Sequence, residues 1–155
     1  MATSTLIQYL ESTDSAGAAL GVTMSNRRQV ETFIAEGAIA IGDAVAFNTN
    51  RAAEGEKTLY VFPADTDSQH SKCFVGVALE AAAAGGKVRV CISGVCTANL
   101  TAGNGASAGV NLMIGAAGGE FVDYSAGSVL QNAAITCNAR DGSSGKATVV
   151  VFKQF

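Results

Sequence analysis

From Gln29 onward the chain alternates apolar and polar positions in short runs with a period of two. Val30, Thr32 and Ile34 interleave with Glu31 and Phe33, and alternation of this kind puts successive side chains on opposite faces of an extended backbone, so the run predicts a strand. After a turn at Glu36 and Gly37, the run AIAIGDAVAF predicts a strand, a Gly42–Asp43 turn and a second strand through Val45 and Phe47. Thr58 to Phe62 is β-branched and aromatic. It is stopped by Pro63, the only proline, which has no N–H to give to a ladder. The central stretch from Phe74 to Val95, FVGVALEAAAAGGKVRVCISGV, carries two β-prone runs, Phe74 to Leu79 and Val88 to Ile92, around a small-residue crossing from Glu80 to Gly86. Beyond Val95 a Gly- and Asn-rich loop, LTAGNGASAG, precedes further strands at Val110 to Ile114, Glu120 to Tyr124, Ala133 to Cys137 and Lys146 to Phe152.

About ten short strands with turn signals between them, and no long run of period 3.6, predict an all-β fold. The expected architecture is a single β-barrel or β-sandwich, spanning residues 22–155. Within it, FVGVALEAAAAGGKVRVCI and LQNAAITCNARDGSSGKATVVVF share a layout: strand, small-residue connection, Gly-Lys, then a Val-rich strand. This echo predicts two similar β-units in one domain.

Residues 1–21 differ in character. Leu6, Ile7, Tyr9 and Leu10 cluster at helical spacing, and Thr5 with Gln8 fits a capping box, so one or two helical turns are expected before the linker-like STDSAGAALG. The segment reads either as an N-terminal arm that packs on a neighbouring subunit through those four apolar residues, or as a piece folded back on its own barrel.

Composition narrows the functional classes. The chain has 155 residues, enough for one domain that buries roughly 68–70% of its unfolded surface. Net charge is −3 and the basic residues are scattered, Arg27-Arg28 being the one adjacent pair, so no concentrated positive face for nucleic acid is expected. No run approaches the ~20 apolar residues of a membrane span, and the first residues lack the pattern of a signal peptide, which points to a protein made in a cytoplasm. The four cysteines match no zinc spacing, there being no C-x-x-C and a single His. If Ser93–Gly94 is a two-residue hairpin turn, Cys91 and Cys96 fall opposite each other, close enough to bond; two packed thiols are the alternative.

Candidate chemistry is sparse. Asp65, Asp67, His70 and Cys73 crowd one stretch, which a metal or a Cys–His nucleophile could use, but no second His and no helical pairing accompany them. A polar loop between strands explains them. Gly103-Asn-Gly105-Ala-Ser-Ala108 matches a relaxed dinucleotide fingerprint whose phosphate site needs a following helix, and GVNLMIGAAGG is too short and Gly-broken to be one. Carboxylates such as Glu31 and Glu36 could form a glycosidase pair, yet nothing in the sequence separates their environments. With no nucleophile elbow, zincin motif or P-loop, no catalytic, cofactor or metal residue is assigned, and the chain is expected not to be an enzyme.

The succession V-E-T-F-I-A, A-I-A-I-G-D-A-V-A-F and F-V-G-V-A-L-E-A-A-A-A-G-G-K-V-R-V-C-I-S-G-V resembles the small β-rich capsid decoration proteins of tailed bacteriophages, also called cement or head-stabilising proteins. The resemblance covers Gln29 to Val95, through Gly-Asp turns and a Gly-Lys strand entrance, and extends to the rest by strand rhythm. It implies a mechanical role. The protein would bind the outer surface of an icosahedral shell, bridge neighbouring capsomers and act as a homo-oligomer, a trimer or dimer. Its implied partner is the major capsid protein, with no nucleic acid, membrane or cofactor, and its place is the virion after a stay in the host cytoplasm. The alternative expectation is a β-barrel ligand- or carbohydrate-binding module of a virion fibre or adhesin, for which the absence of Trp and the three Tyr provide few aromatic platforms.

Overall fold

The computed structural model describes residues 28–66, 73–116, 118–125 and 132–152. They form β1 (Arg28–Ala35), β2 (Ala44–Phe47), α1 (Glu54–Lys57), β3 (Tyr60–Pro63), β4 (Phe74–Ala78), β5 (Lys87–Asn99), β6 (Asn111–Ile114), β7 (Phe121–Asp123), β8 (Ala134–Thr136) and β9 (Lys146–Val151). All nine strands join one sheet in the order β1-β3-β2-β4-β5-β9-β8-β6-β7, and β1 also pairs with β5. The first five strands therefore close into a barrel, so the expected all-β barrel is the observed fold. The remaining strands curl away from the distal half of β5, and a parallel bridge between Leu100 and Phe121 closes this second ring at one point.

The two rings are copies of one design. In the first, β1 runs antiparallel to β5 and parallel to β3, with β2 and β4 between. In the second, the distal half of β5 takes the place of β1, β6 of β2, β7 of β3, β8 of β4 and β9 of the proximal half of β5. The register agrees residue by residue: Phe47 faces Val61 as Ile114 faces Phe121. Loop bonds repeat as well. Gly42 N–H donates to Ala78 O and Gly109 N–H to Thr136 O, both at 2.8 Å. Ala35 N–H donates to Gly86 O at 2.8 Å and Leu100 N–H to Gly145 O at 2.9 Å. The glycines before Lys87 and Lys146, the echo visible in the sequence, thus occupy equivalent strand entrances.

One strand serves both rings because of a defect at its middle. Gln29 pairs with Ser93 but Val30 with Cys91, leaving Ile92 as an extra residue, and Gly94 adopts φ +99°, which a side chain would resist. The bulge resets the alternation. Val88, Val90 and Ile92 fill the first ring, whereas Cys96, Ala98 and Leu100 fill the second. Ser93–Gly94 is therefore not the hairpin turn the sequence allowed, and the strand continues to Asn99, four residues beyond Val95. The run Ala38 to Ile41 likewise forms no strand; Ile39 makes a single bridge to Ala82, and Ile41 opens the turn with Gly42. The short turn α1 has no side-chain cap and no buried residue, and it left no periodic signal. Residues 1–21, with Leu6, Ile7, Tyr9 and Leu10, lie outside the described residues.

The rings are stitched where the β1–β2 turn meets the end of β5. Asn99 N–H donates to Gly42 O at 2.9 Å, and its Nδ2 donates to Asp43 Oδ1 at 2.8 Å and Ile41 O at 3.2 Å. Asp43 Oδ2 also accepts from Ala40 N–H at 2.7 Å. Asp43 is one of two buried polar residues among those described. Asp43→Ala removes the acceptor of two part-buried hydrogen bonds, which costs about 1–2 kcal/mol; urea denaturation should show that loss, with Asp43→Asn recovering part of it.

Candidate functional site

Polar side chains gather where the first strand of each ring leaves its barrel. In the first ring, Arg51, delivered by the β2–α1 loop, lies over Tyr60 with Cζ 3.7 Å from the ring centroid. Its guanidinium pairs with Glu36 Oε1 and Glu56 Oε2, each at 3.4 Å, and Asn48 Nδ2 donates to Glu36 Oε2. A cation–π contact and pairing with two carboxylates suit arginine's planar charge and hold the loop against the barrel. Glu36 is thereby committed to a cation and an amide, and Glu31 stands on the exposed half of β1, so these two carboxylates do not make an acid–base pair. Beside the cluster opens a hollow of about 300 Å³ lined by Glu36, Gly37, Asn48, Asn50 and Phe62.

The second ring has a larger hollow at the matching exit, of about 520 Å³, bordered by Thr101, the residue equivalent to Glu36. Thr101 Oγ1 donates to Glu120 Oε2 at 2.7 Å, and Arg140 Nε donates to Leu100 O at 3.0 Å. Ser143 and Ser144 form its outer lip in the β8–β9 turn, where backbone Ser143 N–H and the Ser144 side chain hold the Asp141 carboxyl below its ordinary pKa. The first hollow has a mostly apolar wall, and the second is evenly polar and apolar.

The thiols Cys91 and Cys96 do meet, though not across a hairpin. The bulge turns both toward the seam between the rings, where they remain free and hydrogen-bonded to each other. That bond pulls the Cys91 pKa down against the opposing effect of burial, and the same bond with burial pushes the Cys96 thiol well up. Of the crowded polar stretch, Asp65 and Cys73 are described, while Asp67 and His70 lie outside the described residues. Gly103 to Ala108 leads into a turn and β6, without the helix a dinucleotide site needs. Gly105 N–H is instead tied to Asp123 Oδ1 at 2.6 Å, and Asp123 N–H to Asn104 Oδ1 at 2.9 Å. Among the described residues no three His, Cys, Asp or Glu side chains gather as metal ligands would. Sequence reasoning found Glu36 but missed Arg51 and Arg140, since loop cations give no periodic signal.

The sequence matches no protein-family model and no curated protein. Among solved structures, the fold is similar to that of the N base of head fiber gp8.5 in bacteriophage phi29, with a TM-score of 0.51 and 14% sequence identity. The similarity covers 80% of this chain and 93% of that one.

Proposed function

We propose that this chain is a structural protein of a phage virion that seats on the outer surface of the head and bridges neighbouring capsomers, a decoration or cement protein without catalytic activity. The observation that carries this reading is the fold shared with the base of a phage head fibre over nearly all of that base. The sequence resemblance of Gln29 to Val95 to capsid decoration proteins supports it independently. Physically, a closed barrel and a second ring of strands built on one continuous strand suit a part that bears load. A body that touches several capsid subunits at once gains retention because each further contact is effectively intramolecular. The major capsid protein is then the partner, and the protein passes from the host cytoplasm to the virion surface.

A ligand- or carbohydrate-binding module of a virion fibre is the second reading, favoured by the hollow of about 300 Å³ with Phe62 on its wall. The two separate in one experiment. Purified protein added to expanded, undecorated shells of its own phage should bind at a fixed copy number and raise the shell's melting temperature. No binding to any form of the shell refutes the first reading, and saturable glycan binding abolished by Phe62→Ala establishes the second.

A further inference from the structure

An amine, a carboxamide and a carboxylate converge at the seam where the two rings are stitched. Asn99 and Lys146 stand directly opposite each other as the last pair of the β5–β9 ladder, and cross-strand partners of this kind carry their side chains on one face, Cβ atoms about 4.5–5.5 Å apart. Both side chains reach the same atom. Asn99 Nδ2 donates to Ile41 O at 3.2 Å and Lys146 Nζ donates to that oxygen at 3.4 Å, so the amine lies beside the carboxamide. From the buried side, Asp43 Oδ1 accepts from Asn99 Nδ2 at 2.8 Å.

The corner fits these groups tightly. A Cβ on Gly42 would lie 2.8 Å from Asn99 Oδ1 and 3.1 Å from Asn99 Cγ, and one on Gly119 would lie 2.6 Å from Asp43 Cγ. Both glycines have positive φ, so two separate turns bring bare backbone against the carboxamide and the carboxylate. Backbone bonds fix the strand ends as well: Asn99 N–H donates to Gly42 O and Leu100 N–H to Gly145 O, each at 2.9 Å. A carboxamide is a weak electrophile. Groups held side by side in this way react as though at very high concentration, which is what such an electrophile requires.

We propose that Lys146 and Asn99 become joined by an isopeptide bond that the folded chain forms on itself, with Asp43 carrying the protons. Lys146 Nζ bonds to Asn99 Cγ, the Cγ–Nδ2 bond breaks, and Nδ2 leaves as ammonium with the two protons that the lysine ammonium gives up. Those protons pass through the Asp43 carboxylate, which already touches the leaving nitrogen; a positioned group in this role contributes about 10²–10⁴-fold in rate. One amide replaces another and one ammonium is released. The bond ties the end of β5 to the start of β9, and β6, β7 and β8 all lie in the loop it closes. The second ring is then held to the seam covalently, and its unfolded form loses the freedom of that long loop. The inference is independent of what the protein binds in the virion.

Mass spectrometry of the intact, denatured full chain tests it. The parent protein is expected to weigh less than its sequence by one ammonia, and tryptic digestion to give a branched peptide that joins Asn99 to an uncleaved Lys146. Lys146→Arg keeps the charge and a donor for Ile41 O but not the amine; it should keep its full sequence mass. Asp43→Asn keeps an oxygen that can accept from Asn99 Nδ2, and it should form the bond at least about a hundredfold more slowly. A folded parent that retains its full mass after days in solution overturns the proposal. So does an ammonia loss that persists in Lys146→Arg, which would put the reaction at another asparagine such as Asn104 before Gly105. Loss of one water instead overturns it too, because Asp43 would then be the residue joined to Lys146, and an undiminished rate in Asp43→Asn refutes the proton-carrying role.

Discussion

Gly76→Ala is expected to cost about 3 kcal/mol of stability, at the upper end of what overpacking a core does. A Cβ at this position would sit 2.1 Å from the carbonyl oxygen of Cys91 and 2.8 Å from its carbonyl carbon. Both are backbone atoms of the adjacent strand, so no rotamer change relieves the contact; β4 and β5 must separate. They cannot part freely, because β4 is paired on its other side with β2 and its residues Val75 and Val77 are fully buried. The register between β2 and β4 slips by one residue here, and glycine at such a bulge lets two backbones approach where any side chain would hold them apart. Urea denaturation should show a lower midpoint at unchanged m-value, and thermal melting a drop of about 6–12 °C. Gly142→Ala is the control, since a Cβ there meets nothing within 4 Å and φ is not in the left-handed region. Equal stability of the two variants would refute the close-approach argument.

Phe121→Ala should cost about 3–5 kcal/mol, the range for deleting a buried aromatic side chain. Phe121 is fully buried and is the first-ranked side chain by volume among the fully buried ones. It sits where the second ring closes on Leu100, and its ring stands edge-on to Phe74 of the first barrel, centroids 5.8 Å apart at 76°. Truncation leaves a cavity in the cluster where side chains from both rings pack together, so both lose packing together. Unfolding should therefore remain a single transition that moves as a whole. In a double-mutant cycle with Phe74→Ala, the pair should show a coupling of about 1 kcal/mol. A loss below 1 kcal/mol for Phe121→Ala, or a second transition assignable to one ring alone, would contradict a shared core.

The Val-rich β9 was readable because it buries one face, Ala147, Val149 and Val151, and burial of one face is what writes a period of two into a sequence; in β1 only Phe33 and Ala35 are buried, and Gln29 to Thr32 are exposed on both faces. The Gly-Lys echo was readable for the same reason: both rings need a tight entry before an equivalent strand. The errors also have local causes. Ser93–Gly94 carries the residues of a hairpin turn, but whether a Gly at positive φ reverses the chain or merely bulges it depends on what pairs beyond it. Here β9 takes up Gly94 to Asn99 and draws the strand onward. Ala38 to Ile41 has strand composition, yet only Ile39 finds a partner, because its neighbours turn to dock on Asn99.

The polar cluster shows the same division. Glu36 stood out as a carboxylate, but its meaning changed once Arg51 arrived from a loop fifteen residues on, lay over Tyr60, and fixed it as an ion-pair partner. Nothing in the intervening residues encodes that meeting.

By itself the sequence determined the strand content, most turns and the presence of two related halves, since these depend on contacts between residues near one another or on the repeat of a local pattern. The tertiary structure alone decided that the halves share one strand, that Cys91 and Cys96 face the same seam, and that Cys91, Val77 and Ala46 of the first ring are buried in one cluster with Ala98, Leu112 and Phe121 of the second. Those outcomes rest on pairings between residues far apart in the chain, where one extra residue in a ladder, Ile92, redirects every side chain that follows.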